Sequence, residues 1–208
     1  MKQSLLIFSL FLLCQKAGFS QIIWSGVQDI TIPTTFAGIY LDVDDVVGTP
    51  SISTSPFSDF DINLFYGGDG ILTKDYFQPV STGTIATSPV RILTFNTLVS
   101  SSSEFYGTDP KNSNSHPVDV TGYLGFEFIP EGEASNRYGW MHVTLTNNST
   151  PGTIHDWAWE NSGGAILAGD IGVIPEPSTY ALFAGMIGLI VRVFKKRINI
   201  KNHQKLDV

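Results

Sequence analysis

The middle of this 208-residue chain predicts an all-β fold, a β-sandwich whose strands can be joined in a jelly-roll-like order. Three observations predict it. Apolar residues recur with a period of two in short runs, turn-forming residues separate the runs, and no long stretch between Gln21 and Asp170 keeps a helical period. In chain order, Ile39, Leu41 and Val43 alternate with Tyr40, Asp42 and Asp44, and Ile62 and Leu64 alternate with Asp61 and Asn63. Leu93, Phe95 and Val99 share a parity. Leu124, Phe126 and Phe128 alternate with Tyr123, Gly125 and Glu127, and Met141, Val143 and Leu145 alternate with Trp140, His142 and Thr144. Such alternation gives each strand one buried and one exposed face. The turns fall at Gly67-Gly68-Asp69-Gly70, Thr108-Asp109-Pro110, Asn147-Asn148-Ser149 and Gly163-Gly164, while Ser100–Ser103 and Lys111–Ser115 read as exposed loops. The β-domain predicted in this way covers 21–172.

Charge narrows the partners. Only Lys74, Arg91, Lys111 and Arg137 are basic between the two ends of the chain, against 18 of the 19 acidic residues, a net of −14 for that stretch. Nucleic-acid phosphate needs clustered lysine and arginine, so no nucleic-acid partner is expected. The one cysteine, Cys14, lies in the N-terminal apolar run, and removal of that run leaves no thiol for a disulfide, a metal or a nucleophile. A domain of about 150 residues buries roughly two thirds of its chain surface and needs no such staple.

Both ends read as addresses. Lys2 precedes the apolar run Leu5–Leu13, and Gly18 and Ser20 place small residues before a cut at Gln21, which predicts a signal peptide over 1–20. At the other end, over 173–208, Pro175-Glu176-Pro177 precedes an apolar segment and the basic cluster Lys195-Lys196-Arg197. Pro177 suits a helix start, where its missing N–H would be unpaired anyway. A helix over 178–194 rises about 25 Å, short of the roughly 30 Å hydrocarbon core by an amount that snorkelling of Arg192 and local thinning absorb. The positive-inside rule keeps the basic cluster in the cytoplasm and the acidic domain outside. The expected topology is therefore an exported ectodomain held by one C-terminal transmembrane helix.

The tail also resembles the PEP-CTERM sorting signal of Gram-negative bacteria: Pro-Glu-Pro-Ser-Thr, an apolar segment with small residues, then a basic cluster, all in a chain with a leader. The resemblance implies that an exosortase is a partner, with Pro175, Glu176 and Pro177 as the recognition motif and Lys195, Lys196 and Arg197 as the basic stop. It also implies membrane anchorage before processing, then a cell-surface or extracellular-matrix destination. The chain departs from the family pattern in continuing for eleven residues, Ile198 to Val208, past the basic cluster. Gly122–Phe128, Tyr138–Val143, Ile154–Glu160 and Ile166–Gly169 resemble a β-rich region that precedes many such tails; that resemblance implies architecture and no enzymatic activity.

Three kinds of chemistry compete for the ectodomain with plain structural use of the same residues. Asp42, Asp44 and Asp45, with Asp59 and Asp61 further on, are candidate calcium ligands, because calcium takes six to eight hard oxygens. No glycine-bearing calcium loop follows them, so solvated strand faces compete with metal binding. Trp140, Trp157 and Trp159, with Tyr123 and Tyr138, are candidates for stacking on a polysaccharide, and core packing competes there. Trp157 and Trp159 share a parity with His155, as an exposed stripe would. Glu127 with Glu131, or Asp156 with Glu160, are the only pairs worth weighing as glycosidase carboxyls. His116, His142 and His155 lack zinc-type spacing, and neither a nucleophile elbow nor a phosphate loop occurs. The expectation is a structural or adhesive ectodomain that is not an enzyme, with a carbohydrate-binding module and a glycoside hydrolase as alternatives.

Overall fold

The computed structural model describes residues 21–45, 51–74, 76–83, 88–105 and 117–172. The expected signal peptide, the Pro-Glu-Pro motif, the apolar helix 178–194 and the basic cluster lie outside the described residues, as do the turn at 108–110 and the loop at 111–115. Among the described residues no helix is long and apolar enough to cross a membrane.

The described chain is almost wholly β, and every strand pairing is antiparallel. The strands are β1 (Ile22–Trp24), β2 (Ile30–Ile32), β3 (Ile39–Leu41), β4 (Ile52–Ser53), β5 (Ile62–Phe65), β6 (Gly70–Thr73), β7 (Phe77–Pro79), β8 (Ile92–Leu93), β9 (Leu98–Val99), β10 (Val120–Phe128), β11 (Arg137–Leu145), β12 (Gly152–Glu160) and β13 (Ile166–Leu167). A long sheet runs β1-β12-β11-β10-β7, with β2 also on β12 and β8 also on β10. A second sheet runs β4-β3-β5-β6, and β9 and β13 form a two-stranded ribbon.

The apolar faces explain why these sheets meet. Ile39, Leu41, Ile62, Leu64 and Ile71 of the second sheet share one buried cluster with Leu124, Phe126, Phe128, Met141, Val143 and Trp157 of the long sheet. A different cluster lies on the opposite face of the long sheet, where Tyr138, Trp140 and Ala158 pack with Val99 and Ile166 of the ribbon. Alternation along β11 therefore does not separate core from solvent: Met141 enters one core and Trp140 the other. A strand covered on both faces buries both parities. This is why Tyr138, Gly139, Trp140 and Met141 are consecutively buried.

Local chemistry sets the turns and close approaches. The expected Gly67-Gly68 turn is a 3-10 turn over Tyr66–Gly68, with positive φ at all three residues. Gly67 donates to the Pro33 carbonyl at 2.9 Å and accepts from the Thr146 amide at 2.9 Å, so the turn is laid on the loop after β11. A side chain at Gly67 would meet the Thr150 carbonyl at 2.3 Å. Gly139 lies beneath the Phe126 ring, whose atoms would be 2.4 Å from an added Cβ. One expected run is divided: Arg91–Val99 splits into β8 and β9 at Asn96, which has φ 64. Thr97 donates to the Thr94 carbonyl at 3.2 Å, and the turn leaves Phe95 62% exposed instead of on a shared buried face.

Candidate functional site

Two polar constellations stand apart from the apolar cores. The first gathers carboxyls from three separate places in the chain. Asp42 and Asp44 follow β3, Asp61 precedes β5, and Glu131 lies in the turn after β10. One oxygen each from Asp42, Asp44 and Glu131 lies within 4.8 Å of the others, an arrangement able to hold a metal ion. Asp61 is 1% exposed, and its carboxylate accepts the Val43 amide at 2.7 Å. Asp42 accepts the amides of Asp44 and Asp45, each at 3.2 Å, which bends the chain so that Asp44 faces back over the strand. The Glu131 amide donates to Asp44 at 3.3 Å and joins the distant turn to this bend.

Electrostatics at this cluster oppose full ionisation. Burial, then carboxyl–carboxyl contacts with Asp42 and Glu131 and the charge of Asp61, push Asp44 up to about 9. Burial raises Asp61 well above the usual carboxylate range, with Asp42 and Glu131 adding to the rise and the Val43 amide opposing it. The Tyr76 phenol is raised too, first by burial and then by the same acids. Among the described residues no lysine or arginine ion pair reaches these carboxyls. The Lys74 ammonium instead lies 4.8 Å from the centroid of the Phe60 ring, and Arg137 pairs with Glu133. An all-oxygen donor set of this kind fits a hard divalent cation, with calcium favoured by its tolerance of irregular carboxylate geometry.

The sequence-predicted metal set is partly reassembled here. Asp42 and Asp44 belong to the cluster. Asp45 turns away and accepts the Ser51 hydroxyl, and Asp59 accepts the exposed Ser58 hydroxyl at 2.7 Å. Glu131 was weighed only as a glycosidase carboxyl, since nothing in its own neighbourhood marks an approach to residues 87 positions away.

The second constellation stands on the long sheet. His142 lies between Tyr123, with ring centroids 4.8 Å apart, and His155, at 4.6 Å. His155 Nδ1 is 2.9 Å from Asp29, and its Nε2 is 2.9 Å from the Thr144 hydroxyl. His142 Nδ1 is 3.5 Å from Asp156, whose other oxygen accepts the Trp24 indole N–H at 2.9 Å. A β-bulge makes this grouping. Val143 pairs with Ile154 and His142 with Asp156, so His155 is the extra residue. The parity that placed His155 beside Trp157 and Trp159 is broken at that point. The His142 ring stacks on Tyr123 at an interplanar angle of 18° and lies tilted at 37° to His155.

The tryptophan expectation is corrected by burial. Trp157 is 0% exposed, Trp140 1% and Trp159 9%. Trp157 donates its indole N–H to the Val43 carbonyl at 2.9 Å, and Trp140 donates to the Asp170 carbonyl at 3.0 Å. These three rings fill the two cores, so a pyranose finds no open ring face on them. Tyr138 is buried with Trp140, and Tyr123 packs edge-on against that indole at 5.4 Å.

The carboxyl pairs also separate. Asp156 and Glu160 lie four residues apart on one strand, roughly 13 Å along an extended chain, beyond the roughly 6.5–9.5 Å used by inverting glycosidases. Glu160 is buried and accepts the Ser162 amide at 3.0 Å and the Gly164 amide, which closes the Gly163-Gly164 turn. Glu127 accepts the Asn136 side-chain amide at 2.8 Å and is raised by burial, whereas Glu131 belongs to the carboxyl cluster. Compared with protein-family models, with characterised proteins and with solved structures, the chain matches none.

Proposed function

We propose that this chain is an exported surface or extracellular-matrix protein, sorted through its C-terminal tail by an exosortase, with a structural or adhesive β-sandwich ectodomain. The observation that carries the sorting half is the ordered tail: Pro175-Glu176-Pro177, the apolar segment 178–194 and Lys195-Lys196-Arg197, in a chain with a leader. In support of the ectodomain half, the antiparallel sheets share a core, and Trp140, Trp157 and Trp159 are spent on packing. The reading includes membrane anchorage by the tail helix until processing, and extracellular polysaccharide as the surroundings of the released domain. Mass spectrometry of both termini of protein recovered from an exosortase-bearing host tests it. A start at Gln21 and an end near the Pro-Glu-Pro motif are expected. Protein recovered with Lys195 to Arg197 still attached rejects processing.

Calcium is the ion proposed for the ectodomain. The three oxygens of Asp42, Asp44 and Glu131 support it, because a divalent cation would cancel the repulsion described above. Calcium is expected to raise the melting temperature of the chelator-treated protein. An unchanged melting curve on adding EDTA and then calcium would end that reading.

A further inference from the structure

We propose that residues 25–29, the connection from β1 to β2, form an acid-released strap on the long sheet, with the adjoining His142 and His155 rings at the β12 bulge as its trigger. The strap is tied by hydrogen bonds at its two ends, where the Trp157 amide also donates to the Ser25 hydroxyl at 2.9 Å. Ser25 donates to the Trp157 carbonyl at 2.9 Å, and Gln28 and Asp29 donate to the His155 carbonyl at 2.7 and 3.2 Å. Asp29 reaches the His155 ring at 2.9 Å. Val27, midway along it, is 70% exposed, so burial adds little to its hold. Segments with few buried apolar contacts open locally before the core does.

The titratable groups facing the trigger come from every neighbouring element. Asp29 lies on the strap, Asp156 and His155 on β12, His142 on β11 and Tyr123 on β10. The Asp29 carboxylate, 2.9 Å from His155 Nδ1, is the counter-charge on the strap side of the pair. A proton on His142 sets positive charge against the His155 ring, whose centroid is 4.6 Å away, and the two imidazoles repel. Asp156 offsets only part of that repulsion, because its nearest oxygen is 3.5 Å away and its other oxygen holds Trp24. The ring that can leave is His155, since the bulge frees it from regular pairing, and its departure takes the Asp29 contact with it.

The titration has a definite direction. Burial first, and then His155, lower His142 below 6.5, with Asp156 and Asp29 opposing in part. A base lowered in the folded state contributes stability above its unfolded value of about 6.5, and that contribution is lost as pH falls. Release therefore comes on the acid side of neutrality. It uncovers the His155 carbonyl and a short stretch of the β12 edge.

Hydrogen–deuterium exchange of the full chain in detergent, corrected for the intrinsic rate at each pH, tests the proposal. Exchange of the amides in 25–29 is expected to rise at least tenfold between pH 7.5 and 5.0, with β5 and β10 unchanged. His142→Gln is expected to abolish the rise. Protection that does not vary with pH overturns the proposal, as does an unaltered response in His142→Gln or equal loss across β5 and β10. Should that variant not fold, Asp29→Asn serves instead. Loss of the counter-charge moves release to higher pH, and an unmoved release overturns the strap.

Discussion

The carboxyl cluster and the histidine stack are both polar groups packed beside apolar cores, yet they respond to protons in opposite directions. At the cluster, Asp42, Asp44, Asp61 and Glu131 crowd like charges together, so protons or a cation relieve them. At the stack, His142 and His155 are held next to each other, and protons create the repulsion instead. Acid therefore favours one region and opposes the other. The comparison teaches that pH response here is set by which like charges the fold brings together, since both regions lie in the same stretch of net charge −14. Trp157 links the two. Its indole N–H donates to the Val43 carbonyl beside the acids, and its backbone N–H donates to the Ser25 hydroxyl oxygen at the foot of the strap, each at 2.9 Å.

The largest break in that comparison comes from Trp157→Ala. Loss of a fully buried indole costs about 3–5 kcal/mol, and chemical denaturation should show it. Both regions should loosen together; a loss under about 1 kcal/mol, within the range of ordinary surface substitutions, would contradict the linking role.

Asp44→Asn sharpens the acidic side alone. It replaces a carboxyl that must take up a proton on folding with a neutral group of the same shape, so chelator-treated protein at pH 7 should gain on the order of 1–2 kcal/mol after allowance for solvent screening. Destabilisation in that buffer would mean that the carboxylate is held by a partner in its charged form.

The pH profile separates the two signs. Asp44 is raised from 3.8 to about 9, so its contribution is full below 3.8 and is lost as pH rises toward 9. The melting temperature of chelator-treated protein should fall over that window, and Asp44→Asn should flatten the slope. The histidine contribution runs the other way below about 6.5, and His142→Gln should leave the Asp44 slope untouched. Identical profiles for all three proteins would erase the comparison.

The smallest effect is expected beside the stack. The Thr121 and Thr144 hydroxyls meet at 2.9 Å across β10 and β11, and cross-strand pairs contribute roughly 0.2–1 kcal/mol. Thr121→Ala should cost no more than that in a denaturation experiment and leave the strap's pH response in place.

Much of the strand content was legible beforehand. The parity of Ile39, Leu41 and Val43 marked β3, and Leu124, Phe126 and Phe128 marked β10, because a strand with one buried face writes its period into the chain. Turn chemistry at Asn147–Ser149 and Gly163-Gly164 was equally local: Thr150 donates to the Asn147 carbonyl at 3.3 Å, and Gly163 has φ 80. Arg91–Val99 misled because parity does not register a turn at Asn96. Core packing and sugar stacking competed at Trp140, and the ribbon of β9 and β13 decides it by covering the second face of the long sheet.

By itself, the sequence determined the β character of the domain, its acidity, the nearness of Asp42 to Asp44, and the expectation of a sorted tail. These depend on neighbours within a few residues, where steric preference and period act directly. Only the tertiary structure decided that Glu131 joins Asp42 and Asp44, that His155 stands with His142 instead of with Trp157, and that Trp140, Trp157 and Trp159 are interior. Each of those outcomes turns on a bulge or on a second layer of chain. Both are consequences of packing between distant segments, which local periodicity does not encode.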